Sequence, residues 1–322
     1  MNRDSRHRPG LATLAVIAII AGLLAGCGHQ HGPPTAYSGP VAGAAAPRQG
    51  APRRDIQEEF RHLTAAAERG DPIAQVNLAG MYMRGEGIAR DEYQARKWFG
   101  EAARQGDLLG QLNLGILYRL GRGGEADPIQ ARHWLSLAAE RGNHIAHREL
   151  GLVYRSLPAT TETLRAAVTH FSFAAEQGDS IAQGALGAMY LFGHTGANTS
   201  PGSVGGMVNA PPGTPLSPQG NRDYDKALHW LSLAARQGEP IAQFNLGMMH
   251  LRGDGVVADP ATGYLWLYQA AENGHPDAAV RLEEAALHLG SRLADVRARA
   301  EEMGTTLPRI PFPMDGAARA NR

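Results

Sequence analysis

The chain has 322 residues, with 31 basic and 31 acidic side chains, so its zero formal charge suggests neither a nucleic-acid footprint nor an acidic tail. A single cysteine, Cys27, excludes disulfides, thiolate zinc sites and cysteine catalysis within the chain. Forty glycines against four Trp, nine Tyr and seven Phe suit closely packed helices better than a β-sandwich.

Residues 1–10 carry Arg3, Arg6 and Arg8, and residues 11–24 are an uncharged apolar run. The run is shorter than the ~20 residues a membrane-spanning helix needs, and it fits the apolar region of a secretory signal peptide. It ends in Leu24-Ala25-Gly26-Cys27, which resembles the box cut by the lipoprotein signal peptidase. The resemblance implies that Cys27 is lipidated and becomes the mature N-terminus. Acyl chains contribute about 0.8 kcal/mol per buried methylene, so two or three of them make a stable anchor. Gly28 rather than Asp follows, the pattern of Gram-negative lipoproteins released to the outer membrane, which places the bulk of the chain in the periplasm. Residues 27–54 are rich in Pro, Gly and Ala with little to bury, and read as a disordered tether with a reach of roughly 30 Å. His29 and His31 lie in this tether and make a poor metal site.

Residues 55–68 read as the second helix of an incomplete leading repeat. A phrase ending in glycine then recurs at Gly70, Gly106, Gly142, Gly178, Gly238 and Gly274. All six fall on a spacing of 36 once an insertion of 24 residues, at roughly 197–220, is set aside. Such a period indicates a stacked array rather than one globular core. Asp71, Asp107, Asn143 and Asp179 are helix caps, and Pro72, Pro240 and Pro276 stand at the first helical position. The first helix of each repeat runs to Tyr82, Tyr118, Tyr154, Tyr190 or His250, followed in most copies by a glycine turn. Second helices start behind Asp91, Asp127, Asp223 and Asp259, and the repeat glycine supplies a left-handed stop.

Trp98, Trp134, Trp230 and Trp266 share one register position, which argues for packing rather than recognition. Small residues at Ala79, Gly115, Gly151, Gly187 and Gly247, and at Ala74, Ala146, Ala182 and Ala242, mark close helix approaches. The third copy departs: Arg155-Ser156-Leu157-Pro158 replaces the glycine turn and His170 replaces Trp, which predicts a local irregularity without loss of a helix. The insertion is Gly/Pro/Ser-rich and reads as a surface loop. Residues 276–289 and 291–303 form a closing helix pair, and 304–322 a tail.

The pattern Gly-Asp-x-x-Ala-Gln-x-x-Leu-Gly-x-x-Tyr-x-x-Gly-x-Gly-x-x-x-Asp-x-x-x-Ala-x-x-Trp resembles the Sel1-like repeat, a relative of the tetratricopeptide repeat. The resemblance covers residues 55–303. It implies an all-α fold, a right-handed α-solenoid of antiparallel helix pairs whose first helices line the concave side. Similar repeat lipoproteins serve as scaffolds in exopolysaccharide secretion and as envelope regulators. β-Lactamase activity has been attributed to cysteine-rich relatives, which makes a cell-wall-active hydrolase the alternative class. Disulfides staple the repeats of those relatives, and this chain has none, so that activity is not carried over.

Gly178-Asp179-Ser180-Ile181 looks like a lipase nucleophile block, but it stands in register with Gly70-Asp71-Pro72-Ile73 and the repeat explains it. Nucleophile-elbow, P-loop, zinc-protease and dinucleotide motifs are missing, and no catalytic residue, metal site or cofactor is expected. His144 and His147 share a helix face, but the sequence identifies no third ligand.

Tetratricopeptide groove positions, carried onto this repeat, select Val76, Met83, Arg84, Leu112, Ile116, Arg119, Arg148, Leu152, Arg155, Phe244, Met248 and Arg252. They predict an apolar face dotted with arginines and free of acids, suited to a partner protein or peptide of the envelope with apolar anchors and acidic groups. Part of this apolar set can instead pack between neighbouring helices. The expectation is therefore a non-enzymatic scaffold, monomeric by itself and held to the membrane by its N-terminal lipid, with no nucleic-acid partner.

Overall fold

A computed structural model describes residues 53–196 and 222–305. The signal segment, Cys27, nearly all of the tether, the insertion and the tail beyond residue 305 lie outside them.

The described residues form helices and no strand. Helix α1 (Arg53–Glu68) leads into five antiparallel pairs: α2 (Pro72–Arg84) with α3 (Glu92–Arg104), α4 (Leu108–Leu120) with α5 (Pro128–Ala139), α6 (His144–Ser156) with α7 (Thr161–Glu176), α8 (Ser180–Phe192) with α9 (Tyr224–Arg236), and α10 (Pro240–Arg252) with α11 (Pro260–Glu272). A closing pair, α12 (Ala278–Leu289) and α13 (Leu293–Thr305), follows across one 3-10 turn. Consecutive helices from α1 to α12 pack on one another, α13 packs on α11, and the first helices of consecutive repeats also touch. The result is an α-solenoid, with the first helices along its inner line.

The caps explain why the helices begin where they do. Asp71 accepts from the backbone N–H of Ile73 and Ala74, and Asp107, Asn143 and Asp179 each accept from the third residue onward. The first glycine of the turn ends α2, α4, α8 and α10 in the left-handed region, at Gly85, Gly121, Gly193 and Gly253. Second-helix caps are tied back by one recurring bond. The N–H of Asp91, Asp127, Asp223 and Asp259 donates to the carbonyl of Tyr82, Tyr118, Tyr190 and His250. The third repeat lacks the glycine stop: α6 ends at an extended Leu157, and Thr160 starts α7 through a capping box with Thr163. No helix is lost.

Pro276 does not open a helix as expected. It sits in a turn ahead of α12, and Asp277 makes no side-chain cap bond. The residue after Gly274 is His275, without the capping oxygen that Asp, Asn or Glu supplies elsewhere, so the chain turns once more before the helix starts.

Packing within a pair depends on a small residue facing a large one. A Cβ at Gly115, Gly151, Gly187 or Gly247 would come within 2.6–2.7 Å of Leu135, Phe171, Leu231 or Leu267. Those four partners are fully buried, as are Leu78, Leu150, Leu186 and Leu246 from the repeat's own leucine position. Each buried side chain of this size contributes about 1.5–3 kcal/mol. The tryptophans join the same clusters: Trp98 and Trp134 pack on the first, Trp230 and Trp266 on later ones.

Between repeats runs a polar ladder. Gln75, Gln183 and Gln243 donate to the carbonyls of Ala67, Ala175 and Ala235, and accept from Gln105, Gln237 and Asn273 one repeat later. Two rungs are missing, one of them in the third repeat, where His147 replaces the Gln and its Nδ1 faces His170. At the other, Arg141 stands where Gln or Asn stands elsewhere and donates to the Gly106 carbonyl, and the buried Gln111 Oε1 has no partner among the described residues.

Candidate functional site

On each first helix, the positions 3, 7, 10 and 14 residues after the repeat glycine form one stripe, since those steps return to the same side of an α-helix. The exposure lies at the two ends of this stripe, while Asn113, Ile116, Glu149, Ala185, Asn245 and Met248 between them are buried. Ile73 is 68% exposed, Ile181 47% and Ile241 54%, while Leu109 and Ile145 at the same register are half-buried. At the far end of the stripe Phe192 and Arg252 are exposed.

Five residues expected on this face are instead in the core. Val76, Met83, Leu112, Ile116 and Met248 are buried, in clusters that join each pair to its neighbours. The tetratricopeptide register puts the sixth position on the surface, whereas here the close approach of consecutive repeats encloses it at Val76 and Leu112. Leu152 is half-buried against the fourth cluster, and Phe244 stacks on His275 at 4.1 Å. The aliphatic column at the third position was missed by that register. Its signal was in the sequence, as an Ile or Leu in the first helical turn of all five repeats.

The arginines are not an acid-free set. Arg84 pairs with Glu86 at 2.8 Å. Glu149, itself buried, accepts from Arg119 at 2.7 Å and from Arg148 at 2.8 Å, and Arg148 also reaches Asp179 at 2.8 Å. The same Asp179 caps α8 through its other oxygen. Burial opposes the charge on Arg148, and Glu149 and Asp179 outweigh it, holding its pKa above the ordinary value. Glu149 escaped the sequence reading because it lies at the seventh position, which that register does not sample. Arg155 and Arg252 are the exposed arginines of the expected set.

The third repeat brings two histidines together. His147 of α6 and His170 of α7 face each other with Nδ1 atoms 3.0 Å apart. Phe173 stacks on His147 at 3.9 Å and Tyr154 on His170 at 5.5 Å. Burial lowers both pKa values, and the neighbouring His147 adds to the effect on His170, which falls to about 4. Among the described residues no group of three or more His, Cys, Asp or Glu is placed to hold a metal ion. None of their helices is long and apolar enough to cross a membrane.

A Sel1 repeat model matches residues 72–107, 108–143, 145–179, 180–200, 217–239 and 240–275. The crystal structure of a Sel1 repeat protein from Oxalobacter formigenes is similar, with 30% identity and a TM-score of 0.52, over 79% of this chain and 68% of that one. A protective antigen of uropathogenic Escherichia coli with an SLR fold shares 27% identity over 76% of this chain and 56% of its own, with a TM-score of 0.39. Chitin synthase regulatory factor 3 of Schizosaccharomyces pombe is 42% identical over 66 residues, 20% of this chain and 7% of that protein, so the chain spans only a small part of this curated relative. Six matched segments over more than half the sequence, on a solenoid of the matching kind, make this chain a member of the Sel1 repeat family.

Proposed function

We propose that this protein is a non-enzymatic scaffold of the bacterial cell envelope, held by a lipid on Cys27 and binding partner proteins along the inner line of its first helices. Sel1 repeats serve protein–protein interaction, which supports the coarse reading. The observation that carries the finer one is the exposed aliphatic column at Ile73, Ile181 and Ile241. An apolar residue at one register position of every first helix, open in the first, fourth and fifth repeats and half-buried at Leu109 and Ile145, offers anchors for an extended or helical segment. Arg155 and Arg252 supply positive charge at the far edge of the same face. Lipidation is supported by the apolar run ending in Leu24-Ala25-Gly26-Cys27, and Gly28 after it supports an outer-membrane address with the array in the periplasm.

The test is in-cell crosslinking followed by purification through a C-terminal tag. The native protein is compared with a triple variant, I73E with I181E and I241E, whose substituted positions are exposed and leave the core intact. A defined set of envelope proteins recovered with the native chain and lost with the variant is the expected result. Equal recovery from both would overturn the assignment of this face. The C27S variant tests the anchor separately: it is expected to leave the membrane fraction, and retention there would sink the lipid reading.

A further inference from the structure

In four of the five repeats the fifth position after the glycine is Gln, at Gln75, Gln111, Gln183 and Gln243, and the tryptophan position is filled by Trp98, Trp134, Trp230 and Trp266. The third repeat changes both, to His147 and His170, and these two departures meet in space. We propose that His147 and His170 form a two-histidine site for a divalent transition-metal ion, with Cu(II) as its best-fitting occupant.

The geometry argues for it in three ways. With metal–nitrogen bonds of about 2.0–2.1 Å, an Nδ1–Nδ1 separation of 3.0 Å corresponds to an angle of about 95° at the metal. That is the angle between adjacent ligands in tetragonal Cu(II) and Ni(II) sites, whereas tetrahedral zinc needs the pair opened to roughly 3.3 Å. Cu(II) also stands highest in affinity among the first-row divalent ions. The rings are already held: the Ala139 backbone carbonyl accepts a hydrogen bond from His147, while Phe173 and Tyr154 stack on the two rings. Fixing a ligand ring through its other contacts is what outer partners do in established metal sites. Both histidines retain some solvent exposure, so water can complete the coordination shell.

Without metal the pair is one hydrogen bond between the two Nδ1 atoms, at positions where the other repeats carry Gln and Trp. Gln at the first position would keep the bond to the preceding carbonyl, as Gln75 does to Ala67, and Trp at the second would fill the cluster as it does elsewhere. Neither histidine is needed to build the repeat.

The experiment titrates the full chain with copper chloride after chelator treatment, reading binding by calorimetry and the nitrogen couplings by electron paramagnetic resonance. It compares the native protein with H147Q and H170W, each of which installs the residue the other repeats carry and so preserves the fold. All proteins carry H29S and H31S to remove the tether histidines. The expected result is one equivalent of Cu(II) bound with two-nitrogen coupling, and at least a tenfold loss of affinity for that equivalent in each variant. If both variants keep the native stoichiometry and affinity, or if the native protein binds no copper above the variants, the site does not exist.

Discussion

Glu239 caps α10 with a side chain one methylene longer than Asp71, Asp107 or Asp179 at the same position, and its carboxylate leans over Gly184 of the preceding repeat. Burial there raises its pKa above 4.5, against the lowering effect of the Ala242 and Ile241 N–H groups it accepts from. The folded carboxyl thus holds its proton to higher pH than the unfolded one. The cost of ionising it is fully present above the folded pKa, shrinks as pH falls through it, and vanishes below 4.5. E239D shortens the cap to the form the other repeats use, so it is expected to raise the melting temperature at pH 7 by about 2 °C, with the gain fading towards pH 4. A gain that is independent of pH would show that buried charge is not its cause. A second residue-scale prediction concerns Glu149, which sits between Arg119 and Arg148. E149Q removes the counter-charge of Arg119 and leaves Arg148 with Asp179 alone, and is expected to cost about 3 kcal/mol in urea unfolding. A loss below about 0.5 kcal/mol would mean that solvent already screens the network.

At the scale of the helix, legibility followed periodicity. The repeat glycines, the Asp and Asn caps and the small residues at Gly115, Gly151, Gly187 and Gly247 recur at fixed spacing, and each recurrence is a local steric or hydrogen-bonding need that one copy makes visible in the others. Pro276 failed because the capping oxygen before it is missing, and a proline alone does not start a helix. The groove failed differently. Whether the sixth position of a first helix is open depends on how closely the next repeat approaches, which is a property of two repeats and not of one. The meeting of His147 with His170 was equally hidden, since 23 residues and a helix reversal separate them; only the paired departure from the repeat pointed there. The close approaches themselves can be tested. G187A is expected to cost about 1–3 kcal/mol by driving a Cβ against Leu231. Combined with L231A, the loss should fall short of the sum of the two single losses, because the collision partner is gone. Strict additivity would place the strain elsewhere.

For the whole molecule, stability is a sum over neighbours. Contacts run from each pair to the next, and the closing helices cover what the last full repeat leaves open: Tyr264, Leu265 and Leu267 pack with Ala285, Leu289 and Ala300. The outward side of α13 is mainly polar, so the array ends there instead of inviting another unit. A chain stopped after Asn273 is expected to self-associate on size-exclusion chromatography, and a monodisperse monomer would show that α12 and α13 are dispensable as a cover.

A stack bound only through neighbours also has a mechanical character. Among the described residues the main helix contacts reach no farther than the adjoining repeat, so under tension from the two ends the links carry the load in series and give way singly. Each 36-residue unit then adds about 120 Å of contour length, at about 3.3–3.6 Å per residue. The links where the ladder bond is missing, at Gln111 and at His147, are the first candidates to yield. Anchored to a membrane at one end and to a partner at the other, such a protein would lengthen in steps under strain and recoil when released.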